Sequence, residues 1–197
     1  IYTKLDNKVI DALYGISHAS NIEEFSAALP NVHAPGLNTM YGDAEGNVAW
    51  WASGTLYELG NSTHTKFVMD GSKAQDRVKR YLNFSQNPQA INPPWEYVYS
   101  ANNQPDTIAG MSYPYPGYYL PENRAKRIVS LLESKDDWDA DAVRNMITDG
   151  VSSVNPTLIT NLAKLITIKD VTDQQALALD HLSTWEGEYE LNNTEAA

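Results

Sequence analysis

Apolar side chains recur with the spacing of an α-helix through the second half of the chain. Apolar residues follow the i, i+3, i+4, i+7 spacing at 125–132 and 158–166, and shorter parts of the same spacing occur at 143–147 and 176–182. Asn155-Pro156 is a typical helix start, and Thr172 with Gln175 is typical of a capping box. We therefore predict that residues 121–197 are mainly helical.

The first 120 residues show strand and turn patterns instead. Segments 38–43 and 48–53, joined by Ala44-Glu45-Gly46-Asn47, predict a β-hairpin in which Gly46 and Asn47 take positive φ angles. Segment 66–69 predicts a further strand, and 95–100 predicts another extended region.

Two other stretches of the first half give different signals. Ser20 and Glu23 are spaced as a capping box ahead of Phe25 and Leu29, which predicts a helix that ends at Pro30. Segment 83–94 is rich in Asn, Gln and Pro and predicts an irregular connection. The chain is thus expected to be α+β, a single partial domain over 1–197, with a β-rich part and N-terminal helix at 1–120 and a helical part at 121–197.

Charge and composition exclude several classes of function. The 197 residues include 14 basic and 25 acidic side chains, a net charge of −11, with no basic stripe that could neutralise a phosphate backbone, so no nucleic-acid partner is expected. No apolar run reaches the roughly 20 residues that span a bilayer, so no membrane span is expected. The 12 Tyr and 5 Trp against 3 Phe suit a ligand cleft or an interface.

Metal and cofactor chemistry have no motif to support them. The four histidines share no ligand spacing, cysteine is absent, and no HExxH, P-loop or GxGxxG string occurs. We expect neither a metal nor a cofactor in this chain.

An ordered series of short motifs is more informative than any one of them. Along the chain stand Asn38-Thr39-Met40-Tyr41-Gly42-Asp43 with Gly46-Asn47-Val48-Ala49-Trp50, then Asn92-Pro93, Ser100-Ala101-Asn102-Asn103, Asn123-Arg124-Ala125-Lys126-Arg127-Ile128 and finally Leu182 to Ala197. The series resembles the large (beta) subunit of the penicillin acylase family of N-terminal-nucleophile hydrolases, and the chain resembles an internal fragment of that subunit.

The resemblance implies part of a four-layer αββα sandwich and hydrolysis of a linear N-acyl amide, of the β-lactam side-chain or acyl-homoserine-lactone type. It implies a serine nucleophile at a free N-terminus, whose own α-amino group titrates near neutrality and can act as the base. By position, Asn102 matches the asparagine whose amide donates to the oxyanion, and Arg124 matches an arginine that supports this site. Asn103 is the alternative in the neighbouring register.

Four aromatic residues are candidates for substrate binding, namely Tyr41, Trp50, Trp51 and Tyr99, although aromatic pairs on a hairpin commonly pack in the core. Ile1 is not a nucleophile, and no serine of this chain stands in the context that the resemblance requires. The serine, the small subunit and the rest of the large subunit are therefore expected as partners, and the piece alone is expected to be inactive and to self-associate. The family resemblance implies a periplasmic or secreted location.

Two other interpretations of the chain stay open at this stage. The first is a stand-alone α+β module without enzymatic activity, whose aromatic surface takes up a small ligand or a partner. The second is an amidase of different chemistry, which the lack of a Ser, His or Cys constellation disfavours.

Overall fold

The computed structural model describes residues 8–60, 67–105, 117–166 and 171–195. It has an α+β fold, in which helices are combined with small antiparallel sheets. The chain forms two compact units, Ile1–Leu120 and Pro121–Ala197. Each unit is described by itself below.

Two helices open the first unit. Helix α1 covers Val9–His18 and α2 covers Ile22–Ala28, followed by one 3-10 turn at Leu29–Asn31. The cap of α2 lies one residue later than the sequence predicted, because Asn21 Oδ1 accepts the Glu24 N–H at 2.8 Å while Glu24 Oε2 accepts the Ser20 N–H. The predicted pair of Ser20 and Glu23 was therefore wrong by one residue, since an Asn in extended conformation is an equally good cap.

The predicted hairpin is confirmed. Strands β1 (Leu37–Gly42) and β2 (Val48–Ser53) are antiparallel, with Gly42 opposite Val48 and Leu37 opposite Ser53. Gly46 has the expected positive φ, +89°, at the tip. Asn47 does not, and instead donates its side-chain amide to Asp43 Oδ2 at 2.8 Å.

The segment expected to be irregular contributes a strand to the same sheet. After a 3-10 turn at Phe84–Gln86, strand β5 (Gln89–Ile91) pairs antiparallel with β2, giving the order β1-β2-β5. Short strands β3 (Tyr57–Glu58) and β4 (Arg80–Tyr81) form a separate pair. Residues 67–69 are not in a strand, contrary to prediction, and Lys66 lies outside the described residues. Segment 95–100, predicted as extended chain, pairs in no described strand, and Glu96 within it has a positive φ of +61°.

The core of the first unit lies between the sheet and the two helices. Leu29, Ala49 and Trp51 are at most 1% exposed and form its centre. Partly buried side chains from both helices, β1 and the 3-10 turn pack around them: Ile16, Ile22, Phe25, Tyr41 and Phe84. A buried Trp removes roughly 150–250 Å² from water, so Trp51 is a main source of the stability of this unit.

The second unit is helical, as predicted. Its helices are α3 (Asn123–Leu132), α4 (Ala140–Ile147), α5 (Asn155–Ala163) and α6 (Asp173–Thr184). The capping box of Thr172 and Gln175 is present at the start of α6. Leu165 and Ile166, which the periodicity placed on α5, follow its end in a turn.

Candidate functional site

A cavity of about 270 Å³ lies on one face of the three-stranded sheet. Its lining comes from β2, β5 and the chain that follows β5, and includes Trp50, Gln89, Ala90, Trp95, Tyr97, Tyr99 and Asn103. Because neighbouring side chains of a strand point to opposite faces, Trp50 lines this cavity while Trp51 fills the core. The sheet therefore separates a packed face from a concave aromatic one.

The aromatic side chains of the cavity are held in place by local contacts. Trp50 donates its indole N–H to Asn38 Oδ1 at 3.0 Å, which fixes the ring on the sheet. The rings of Tyr97 and Tyr99 lie 6.3 Å apart, centroid to centroid, in a tilted arrangement. Such a wall is suited to contact an apolar or aromatic group, with polar atoms at its margin.

The structure divides the four aromatic candidates into two pairs. Trp50 and Tyr99 line the cavity together, whereas Trp51 and Tyr41 belong to the core or pack against it. Trp95 and Tyr97 also line the cavity and were missed by the sequence analysis. The signal that could have found them is the tyrosine at every second position, 97 and 99, which places both rings on one side of an extended segment.

Asn102 has an unusual backbone conformation at the edge of the same region. Its φ of +59° lies in the left-handed region, which few residues except Gly, Asn and Asp adopt. Its carbonyl accepts the Leu120 N–H at 2.8 Å and its N–H donates to Ser100 Oγ at 3.3 Å. Asn102 is exposed, whereas Asn103 is half-buried, lines the cavity and accepts the Ala101 N–H through Oδ1 at 3.2 Å.

The loop of the hairpin is organised by one carboxylate. Asp43 Oδ1 accepts the N–H groups of Glu45 and Asn47, and Oδ2 accepts the Tyr41 hydroxyl and the Asn47 amide. The bonds from Asn47 hold the pKa of Asp43 below its usual value. Burial, reinforced by the bond to Asp43, raises the pKa of Tyr41. Tyr41 thus has a structural partner in addition to its core contacts.

Arg124 belongs to the second unit, where it is exposed on the first turn of α3. It lines a cavity of about 510 Å³ together with Arg127 and Asp149. Arg127 and Asp149 form a two-pronged ion pair, with N–O distances of 2.8 and 2.6 Å. The guanidinium lowers the pKa of Asp149, and the carboxylate raises that of Arg127.

The comparison that decides the family covers the whole chain: the family model described as penicillin amidase matches residues 1–197. The chain belongs to the penicillin amidase family.

The fold agrees with membership of the penicillin amidase family. A solved structure of thermostable penicillin G acylase from Alcaligenes faecalis resembles this chain with a TM-score of 0.66 and 20% sequence identity. The match covers 93% of this chain and 33% of that one, so the chain spans about a third of the length of the acylase. At this identity the likeness shows a shared fold.

Among residues 8–60, 67–105, 117–166 and 171–195, no three or more His, Asp or Glu residues are grouped so that they could hold a metal ion. In the same ranges no helix has the length and apolar character needed to cross a membrane.

Proposed function

We propose that the protein containing this chain hydrolyses a linear N-acyl amide and that Asn102 donates its side-chain amide to the oxyanion of the tetrahedral intermediate. The nucleophile in this proposal is an N-terminal serine outside these 197 residues, activated by its own α-amino group. Arg124 keeps the supporting role that the family resemblance implies. An amide donor aimed at developing charge typically contributes about 3 kcal/mol to lowering the barrier.

The observation that carries the proposal is the conformation of Asn102 in a chain of this family. Its φ of +59° lies in the left-handed region, which Asn tolerates better than most residues with a side chain, and backbone conformations of this kind concentrate at functional sites. The hydrogen bond from Leu120 N–H to the Asn102 carbonyl fixes the peptide. The exposed side chain is accessible to a substrate.

The aromatic cavity supports an acyl-binding role for Trp50 and Tyr99. Its volume of about 270 Å³ is slightly below the range of about 300–1,000 Å³ for small-molecule sites, which suits one moiety of a substrate. Asn103 lines this cavity and directly follows Asn102 in the chain, which supports a binding mode in which the carbonyl of the acyl group is directed toward the proposed donor. Amides of β-lactam nuclei and of homoserine lactone are the two substrate types to compare.

The test is replacement of Asn102 by Ala in the whole protein. We expect the acylation rate to fall about a hundredfold or more, because the oxyanion loses its donor in the transition state only. The measurement is single-turnover release of the amine product from both substrate types, with thermal unfolding recorded in parallel.

Asn103→Ala is the matched control, since it removes the same functional group from the adjacent position. It should reduce the acylation rate much less, with its main effect on KM through the cavity wall. Full activity of Asn102→Ala would refute the proposed role, and a large loss in Asn103→Ala alone would move the donor by one residue.

Location and partners follow from the same proposal. The small subunit and the rest of the large subunit would complete the enzyme, and the protein would work in the periplasm or outside the cell. Cell fractionation with an antibody against residues 1–197 tests the location, and recovery in the cytosolic fraction would contradict it.

A further inference from the structure

Asn92 occupies a strained position where strand β5 ends. Its φ is +45°, although it precedes Pro93, and a residue before proline prefers extended backbone with φ near −120°. A conformation of this kind is unfavourable and persists only where surrounding contacts enforce it. The contacts of Asn92 therefore indicate what the conformation achieves.

Three hydrogen bonds hold Asn92 against strand β2 and the hairpin loop. Its N–H donates to the Val48 carbonyl at 2.9 Å, and its Oδ1 accepts the Val48 N–H at 3.0 Å. Its Nδ2 donates to Asn47 Oδ1 at 2.9 Å, and Asn47 in turn donates to Asp43. In a continued ladder the next pair would be Val48 and Asn92, and the Asn92 carbonyl would accept the Val48 N–H. Asn92 Oδ1 takes the place of that carbonyl, which allows the main chain to leave the sheet at this point.

The chain that leaves the sheet at Asn92 forms one wall of the aromatic cavity. Trp95, Tyr97, Tyr99 and Asn103 follow within the next eleven residues, and Pro93 is buried directly after the turn. The opposite wall comes from β2 and β5, the strands that Asn92 joins. The direction in which the chain departs from Asn92 hence sets the distance between the two walls.

We propose that Asn92 is a positioning residue, whose amide directs segment 93–105 over the sheet and so sets the width of the aromatic cavity and the place of Asn102. Its relevance to catalysis rests on the function proposed above. Asp43 and Asn47 extend the same chain of hydrogen bonds. The hairpin loop and the Asn92-Pro93 turn therefore act together in directing segment 93–105.

The experiment uses two variants of Asn92 in the whole protein. Asn92→Gly permits the positive φ but removes the amide, whereas Asn92→Asp retains an acceptor for the Val48 N–H and loses the donor to Asn47. Asn21→Ala is the control, because it also removes a side-chain bond to a backbone N–H, at the start of α2, without touching the cavity.

Two readouts separate positioning from stability. The protein is labelled with 5-fluorotryptophan, and 19F NMR signals are assigned by single Trp→Phe replacements; kcat and KM are measured on the same samples. In Asn92→Gly we expect the signals of Trp50 and Trp95 to shift while those of Trp138 and Trp185 remain, and kcat to fall about tenfold. Asn92→Asp should recover part of both effects, and Asn21→Ala should alter neither.

The outcomes distinguish this inference from the proposed function. Unchanged Trp50 and Trp95 signals in Asn92→Gly would overturn the positioning role, even if Asn102→Ala is inactive. Shifted signals with unchanged kcat would uphold the positioning of the cavity wall and refute the catalytic use of that wall. If all the tryptophan signals shift together in Asn92→Gly, and Asn21→Ala gives the same shifts, the effect is a general loss of stability, and this result would also overturn the inference.

Discussion

At the scale of the residue, the backbone conformation and the surroundings of position 187 leave no space for a side chain, so only Gly fits there. It follows Trp185, which is buried and donates its indole N–H to the Glu188 carbonyl at 2.8 Å. Gly187 has a φ of +95°, and a Cβ placed on it would lie 2.2 Å from the Ser152 carbonyl oxygen. Ser152 N–H also donates to the Gly187 carbonyl at 2.8 Å, so the two backbones cannot move apart without loss of that bond.

We expect Gly187→Ala to destabilise the protein by about 2–4 kcal/mol, because backbone strain and a backbone clash combine. Gly150→Ala is the matched control in the same pair of segments, since its Cβ would meet only the Tyr189 carbonyl oxygen at 3.9 Å, an ordinary contact. Urea unfolding of both variants checks the prediction. Equal stability of the two would contradict the steric explanation.

At the scale of the element, strand β5 depends on a side chain that precedes it. Asn87 is 1% exposed, and its Nδ2 donates to the carbonyls of Ala52 and Gly54, both at 2.8 Å. The Pro88 carbonyl then accepts the Ala52 N–H at 2.9 Å. These bonds bring the chain alongside β2 just before the ladder of β5 begins.

Replacement of Asn87 by Ala should therefore cost about 2–3 kcal/mol, since two buried carbonyls lose their donor. Asn21→Ala, which removes a single cap, should cost about 1 kcal/mol. Chemical denaturation monitored by far-UV circular dichroism compares the two. A smaller loss in Asn87→Ala than in Asn21→Ala would show that β5 does not need this anchor.

The same element explains where the sequence analysis failed. The hairpin at 38–53 and the helices after Pro121 were predictable because their signals are local: a Gly-Asn turn, helical spacing and capping residues. Strand β5 was not, since only three residues pair and Pro88 precedes them, so the pattern is that of a loop. Its partner, β2, lies far away in sequence, and the hydrogen bonds of Asn87 and Asn92 cannot be seen in a string of polar residues.

The candidate site was partly predictable for a similar reason. The motif series pointed to Asn102 and Arg124, and the count of Tyr and Trp pointed to an aromatic surface, but not to which rings share it. The alternation along β2 separates Trp50 from Trp51. Trp95 and Tyr97 line the cavity only because the chain turns at Asn92. That turn depends on hydrogen bonds to residues far away in sequence, so no local sequence pattern predicts it. The catalytic roles of Asn102 and Arg124 stay predictions.

At the scale of the whole molecule, stability should depend on pH through Asp149. The hydrogen bonds from Arg127 lower the pKa of this carboxyl below the ordinary value of an aspartate. The ion pair therefore stabilises the fold fully above that ordinary value, and its contribution is lost as the pH falls through the lowered pKa. We expect Tm to decrease steeply below about pH 4. In Asp149→Asn the Tm near pH 7 should be lower and its decrease in acid shallower. Parallel Tm curves for the two proteins would contradict this assignment.

The sheet order β1-β2-β5 also has a consequence for the sequence of folding events. The hairpin closes over short distances, and the bond between Thr39 and Ser53 spans 14 residues, whereas that between Val48 and Asn92 spans 44. Longer closures lose more chain entropy before contacts compensate for it, so we expect the hairpin to form early and β5 to dock late. Elements that dock late and make few contacts also open first in native-state fluctuations. Strand β5, which contributes to one wall of the aromatic cavity, would then open more readily than the hairpin of β1 and β2.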